Sequence, residues 1–273
     1  MKLRLGFSSC PNDTFMFAAL AQRMIDVPFD LELIIADVEE LNEMVLAQKI
    51  DVSKISCHLL TYIYQDYCFL PVGAALGRGC GPLLVTRPEF GLDDLFQMRV
   101  AMPGKYTTAY ALFRQFAPNM NQKQVIFTRF DHIMPMIQNG EADFGIIIHE
   151  GRFVYQRFGL KCVCDLGEWW EQKTAFPIPL GGIVAQRRLG VKNISLFTDA
   201  LKRSILFAYA NRRQVMPFVQ KYACHLEQEV IQRHIKLYVN DFSLDLGSEG
   251  KMAIERLINH SSEEWICVRE EYK

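Results

Sequence analysis

Apolar and polar residues alternate over Lys2-Leu3-Arg4-Leu5-Gly6-Phe7, the period of a half-buried strand, and the turn-forming run Ser8-Ser9-Cys10-Pro11-Asn12-Asp13-Thr14 follows at once. A helix is expected next, with the apolar residues between Phe15 and Met24 on its buried face. The pattern returns to a strand over Phe29 to Ile35, then to a helix over Val38 to Gln48, where Leu41, Val45 and Leu46 recur at helical spacing among glutamates. Strands are expected at Val52 to Ile55 and Leu83 to Thr86, with a helix from Leu59 to Tyr67 and a glycine-rich stretch from Gly73 to Gly81 between them. The series then restarts: strand Arg99 to Pro103, helix Thr107 to Phe116, strand Val125 to Phe130, helix Ile133 to Asn139, strand Phe144 to Ile148. A helical stretch to Gly159, the aromatic segment Glu168-Trp169-Trp170 and a strand Ile183 to Gln186 precede a largely helical remainder, with helices at Phe197 to Tyr209, Val215 to Tyr222, Glu227 to Tyr238 and Ser248 to Asn259.

Two rounds of alternating strands and helices predict an α/β fold of two lobes, each a mixed, mostly parallel sheet flanked by helices. A first lobe of residues 1–85 alone would be close to the size at which an isolated core becomes marginal, so the C-terminal helices are expected to pack back onto it. Lobe I is then 1–85 plus 186–273, and lobe II is the inserted 86–185. Two crossings between lobes can act as a hinge, with a central cleft as the expected ligand site.

Composition narrows the function. Half of the 273 residues are hydrophobic and 22% are charged, as in an ordinary globular protein. With 30 basic against 31 acidic residues, no broad basic field exists for nucleic acid, so recognition of an anion must be local. No apolar run reaches the roughly 18 residues of a membrane span, and Lys2 and Arg4 are not followed by the apolar stretch of a signal peptide, which makes the cytoplasm the expected location. The eight cysteines are too few to define a disulfide framework and, in a reducing cytosol, are expected to be mostly small buried hydrophobes. Cys162 and Cys164 fit one face of a strand, and their spacing is not that of a metal site.

The turn from Ser8 to Thr14 places helix N–H groups at the end of a strand, where an anion is favoured, and Ser9, Asn12 and Thr14 add side-chain donors. An alternative reading has Ser9, Asn12 or Asp13 simply capping the helix. A similar turn recurs at Pro103-Gly104-Lys105-Tyr106-Thr107-Thr108-Ala109, without Walker spacing, and no Gly-x-Gly-x-x-Gly follows a strand. No nucleotide, metal or organic cofactor is therefore expected. Lys54, at the end of a short strand, can pair with a carboxylate or be a surface charge; His58 close behind reads first as structural or exposed, and Cys57 as packing. His149 follows the apolar run Phe144 to Ile148, at the carboxyl end of a strand, where α/β sheets place ligand-contacting groups. An imidazole there can act as a general base or cap the next helix, and His132 reads as a cap.

These segments resemble the 1,4-dihydroxy-6-naphthoate synthase family of the futalosine route to menaquinone. The resemblance is carried in order, over residues 3 to 240, by Ser9-Cys10-Pro11-Asn12-Asp13-Thr14-Phe15, Lys54-Ile55-Ser56, Pro103-Gly104-Lys105-Tyr106-Thr107-Thr108-Ala109-Tyr110, His149-Glu150-Gly151-Arg152-Phe153 and Asp165-Leu166-Gly167-Glu168-Trp169-Trp170. It implies a two-lobed fold like the type II periplasmic solute-binding proteins, in a cytoplasmic, cofactor-independent enzyme. It also implies a lyase acting on a small anionic substrate, cyclic dehypoxanthinyl futalosine, with release of dihydroxyacetone. The family's proton acceptor falls on His149, and its substrate contacts fall on Lys54, Ile55, Ser56, Thr108 and Ala109; Ser9, Asn12, Thr14 and Thr107 are further candidates from the chemistry of the two turns themselves. A non-catalytic anion-binding protein and the sister enzyme chorismate dehydratase are the rival readings.

Overall fold

The computed structural model describes residues 1–223 and 226–267. In chain order the elements are β1 (Lys2–Phe7), α1 (Pro11–Ala21), β2 (Asp30–Ile35), α2 (Val38–Leu46), β3 (Val52–Ser56), α3 (Leu60–Ile63), β4 (Tyr67–Phe69) and β5 (Ala75–Gly77). They continue as β6 (Leu83–Thr86), β7 (Val100–Met102), α4 (Thr108–Phe116), β8 (Val125–Phe127), α5 (Ile133–Gln138), β9 (Phe144–Ile147), α6 (Gly151–Val154), β10 (Lys161–Asp165) and α7 (Leu166–Thr174). β11 (Ile178–Gln186) then leads into α8 (Gly190–Ala210), α9 (Arg212–Tyr222), α10 (Gln228–Tyr238), α11 (Asp241–Leu244), α12 (Gly247–Ile258) and α13 (Ser262–Trp265).

The chain forms two compact units, residues 1–77 with 179–273 and residues 78–178. These limits differ from 85/86 and 185/186 because of strand pairing. β6 pairs with β9 and β10, which draws it into the second unit, and β11 pairs with β3 and β4, which draws it into the first.

In the first unit the sheet order is β2-β1-β3-β11-β4, with β5 beside β11. β1 runs parallel to β2 and β3, and β11 is antiparallel to β3 and β4. β4 and β5 lie where a helix and a glycine-rich loop were expected; the helix stops at Ile63 and the chain turns into the short strand Tyr67–Phe69. Ten of the eleven residues of α1 are buried, so this helix shows no solvent face. The Ser204 hydroxyl of α8 donates to the Met16 carbonyl at 2.6 Å, locking α8 to α1. Phe7, Phe15, Phe17, Phe197, Leu201 and Val219 are among the residues of the core around them.

Among the described residues one disulfide is present, Cys68 to Cys267, an exception to the expectation that the cysteines are mostly packed hydrophobes. The Cys267 N–H donates to the Phe69 carbonyl at 3.1 Å, so the C-terminal segment runs beside β4 and brings the two sulfurs together. A separation of 199 residues concealed that neighbourhood in the sequence.

The second unit carries the sheet β10-β6-β9-β7-β8, in which β7 is parallel to β8 and β9 while β6 is antiparallel to β9 and β10. Cys162 pairs with Val85 and Cys164 with Leu84, across a bulge. Val85 and Leu84 are successive residues and point to opposite faces, so the two thiols do as well, contrary to the expected shared face. Gly81 and Gly167 cross backbone to backbone; a Cβ on Gly81 would sit 2.3 Å from the Gly167 Cα. Among the described residues no helix is long and apolar enough to cross a membrane.

Candidate active site

β1 and β3 are parallel neighbours, so the turns that follow both leave the first sheet at the same edge. Pro11 occupies the start of α1, where its fixed φ is already helical and its missing N–H is not needed. The helix therefore begins before Asn12 and Asp13. Its N-cap is Cys10, without a side-chain cap bond, so none of Ser9, Asn12 and Asp13 caps it. Asp13 instead points back at the end of β1. One of its oxygens accepts from Ser8 N–H at 3.2 Å and from Ser8 Oγ at 2.7 Å. The other accepts from Asn12 Nδ2 at 2.8 Å and lies 3.0 Å from Lys54 Nζ. Thr14 turns its hydroxyl onto the Cys10 carbonyl at 3.0 Å, and Ser9 is half-buried at the turn.

Lys54 is a buried ion-pair partner, its side chain 6% exposed, and not a surface charge. The Lys54–Asp13 contact is close but lies outside hydrogen-bond geometry, so its attraction is mainly coulombic. Gly181 on β11 makes room for it; a Cβ there would fall 2.6 Å from the Ile55 carbonyl oxygen and 3.1 Å from Lys54 Cε. Ser56 is held by the buried Asn42 of α2, whose Oδ1 accepts from Ser56 N–H at 3.0 Å and whose Nδ2 donates to Ser56 Oγ at 3.2 Å. Ile55 alternates to the other side of the strand and its side chain is fully buried. Burial pushes the Cys57 thiol up to about 12, against the pull of the Lys54 charge, which leaves it a poor nucleophile. His58 packs edge-on against Tyr62, with ring centroids 5.6 Å apart.

In the second unit β7 and β9 are parallel neighbours, so the turn into α4 and the turn carrying His149 share a sheet edge. Thr107 caps α4: its Oγ accepts from Tyr110 N–H at 3.2 Å and donates to the Gly104 carbonyl at 2.8 Å. Both of those bonds are structural. Ala109, in the first turn of the helix, presents a backbone N–H that has no acceptor within the helix.

His149 has φ of +53°, in the left-handed region that residues other than glycine enter uncommonly, histidine, asparagine and aspartate more often than the rest. Among the described residues Arg23, Gln48, Ala175 and Asn259 share this conformation, and each ends a helix, where it is a common stop. His149 stands instead between a strand and a helix. It does not cap α6, whose N-cap is Glu150. The Phe130 ring meets the imidazole edge to face at 4.9 Å and restricts its rotation. His132 supplies no cap bond to α5 and is largely exposed.

Arg152 follows in α6 and anchors this turn. Its guanidinium donates to the Gly81 carbonyl at 2.8 Å and forms a close ion pair with Asp165. Asp165 in turn caps α7 through Gly167 N–H at 2.9 Å and Glu168 N–H at 3.2 Å. Arg152 and Asp165 lie in two segments quoted above, but their connection appears only in three dimensions. His234 is the residue that sequence reasoning missed. It lies on the buried stripe Val230, Ile231, Ile235 and Tyr238 of α10, and its Nε2 is 2.9 Å from Asn12 Oδ1. A histidine at helical spacing inside an apolar stripe was the available signal.

Residues 3–263 match the family model described as menaquinone biosynthesis, a span that includes every residue of both clusters. The chain belongs to that family. A Thermus thermophilus 1,4-dihydroxy-6-naphthoate synthase is 44% identical over 255 residues, covering 93% of this chain and 92% of the relative. A Streptomyces coelicolor protein of the same name is 40% identical over 265 residues, covering 96% and 93%. The fold is that of the periplasmic binding proteins: the alkanesulfonate-binding protein of Xanthomonas axonopodis pv. citri superposes with a TM-score of 0.70 at 12% identity, over 98% of this chain and 94% of that one. Cys267 of the disulfide lies beyond the span that the menaquinone biosynthesis model matches.

Proposed function

We propose that this protein is a 1,4-dihydroxy-6-naphthoate synthase, a cytoplasmic lyase that converts cyclic dehypoxanthinyl futalosine to 1,4-dihydroxy-6-naphthoate and releases dihydroxyacetone. His149 is the general base, and Lys54, Ile55, Ser56, Thr108 and Ala109 contact the substrate. The observation that carries the reading is the left-handed backbone of His149 at the carboxyl end of β9, since strain at a non-glycine residue outside a helix terminus is the mark of a site held for a purpose. A neutral imidazole held there can take a proton from the cyclised substrate, whose extended ring system accommodates the electrons left behind.

The Lys54–Asp13 pair has no net charge, so Lys54 serves as a hydrogen-bond donor to the substrate and not as its counter-ion. Ile55, with its side chain buried, is left to act through its backbone. The substrate carboxylate draws on the first-turn N–H groups of α4 around Ala109, where the helix dipole favours an anion. Incubation of the purified protein with cyclic dehypoxanthinyl futalosine should yield 1,4-dihydroxy-6-naphthoate. Tight binding without turnover would favour a binding protein, and dehydration of chorismate would favour the sister enzyme.

A further inference from the structure

We infer that His234 is a positioning residue for Lys54, acting through Asn12 and Asp13. An imidazole wholly inside an apolar helix stripe is costly unless it is paired, and His234 is fully buried. The direction of the chain of bonds follows from what each group can do. A carboxylate only accepts, so the Asn12 group facing Asp13 at 2.8 Å is its NH2, which leaves Asn12 Oδ1 for His234. His234 must therefore donate, and its hydrogen sits on Nε2. Tyr238, one turn on, packs on the imidazole with ring centroids 4.5 Å apart and sets its plane.

Hydrogens thus run from His234 to Asn12 and from Asn12 to the Asp13 oxygen that also faces Lys54 Nζ. The other Asp13 oxygen is fixed by Ser8. Without the His234 donor the buried Asn12 oxygen loses its partner while the NH2 is still held by Asp13. The amide swings to find another donor, the carboxylate it donates to follows, and the ammonium paired with that carboxylate moves too. A residue 222 positions from Asn12 in sequence therefore sets where the Lys54 donor points. The inference rests on the reading that Lys54 touches substrate.

Steady-state kinetics on cyclic dehypoxanthinyl futalosine with His234→Leu, His234→Gln and Lys54→Met, each checked by a melting curve, separate the two ideas. His234→Leu should raise KM by about 10-fold, the scale of a lost hydrogen bond to a charged network, with kcat nearly unchanged. His234→Gln, whose amide can donate to Asn12, should recover most of that loss, which a purely structural role would not predict. Lys54→Met should raise KM at least as much, and adding His234→Leu to it should raise KM no further. If Lys54→Met raises KM and His234→Leu does not, the inference fails while Lys54 keeps its role. If Lys54→Met leaves KM unchanged, the Lys54 reading falls and takes the inference with it. Imidazole nitrogen NMR on the unaltered protein tests the same idea without a variant: the His234 hydrogen should be on Nε2, and a ring lacking it there overturns the proposal.

Discussion

Asp13→Asn and Lys54→Met break the same buried pair from opposite sides, and the structure says that they should not cost the same. When Lys54 is replaced, the Asp13 carboxylate keeps three donors, Ser8 N–H, Ser8 Oγ and Asn12 Nδ2. With those three donors still in place, the loss is that of one charged partner, about 1–3 kcal/mol. When Asp13 is replaced, the Lys54 ammonium is left 5% exposed with no hydrogen-bond acceptor among the described residues. An uncompensated buried charge of that kind costs about 3–5 kcal/mol. The double variant removes both charges and should be more stable than the sum of the two losses predicts. Urea unfolding of the four proteins at neutral pH measures this cycle. A Lys54→Met loss as large as that of Asp13→Asn, or additivity within about 0.5 kcal/mol, would refute the reasoning.

Four further outcomes are expected. His149→Asn should cut turnover by about 100-fold with smaller changes in ligand affinity and melting temperature, and near-normal turnover would remove its catalytic role. Arg152→Met frees the turn after His149 from Gly81 and Asp165 and should lower kcat by about 10-fold or more, since small misplacements of a catalytic group are expensive; an unchanged kcat would show that the clamp is dispensable. Burial disfavours the charge on Asp51, yet hydrogen bonds from Arg4 and the charges of Arg4 and Arg188 hold its carboxyl below the usual range. Its folded value is the lower one, so its contribution to stability is complete above about pH 4 and fades as pH falls through that value; Asp51→Asn should flatten the acid limb of a stability-versus-pH curve, and identical limbs would contradict this. Reducing the Cys68–Cys267 bond should lower the unfolding free energy by about 5 kcal/mol in the chain-entropy model for a crosslink spanning 199 residues, whereas equal denaturation midpoints with and without reductant would show that it adds nothing.

What could be read in the sequence was whatever local periodicity encodes. The strand at Lys2–Phe7 and the helix at Gln228–Tyr238 carry their own patterns. The three-residue strands β4 and β5 do not, because their extended form comes from pairing with the distant β11. Asp13 illustrates the same limit within the site. Its position near a helix start suggested a cap, and only the placement of Lys54 on the neighbouring strand turned it into the centre of a buried ion pair. His149 was legible from its place after an apolar strand, but its backbone conformation was not, since neither Ile148 nor Glu150 beside it is a turn-forming glycine or proline.

That conformation sets stability against chemistry at a single position. Holding a histidine in the left-handed region costs about 1 kcal/mol, and glycine would remove the cost along with the imidazole. Variants of this chain selected for heat resistance alone should therefore be enriched in His149→Gly, and what such a selection recovers should be a sturdier protein that no longer turns over its substrate.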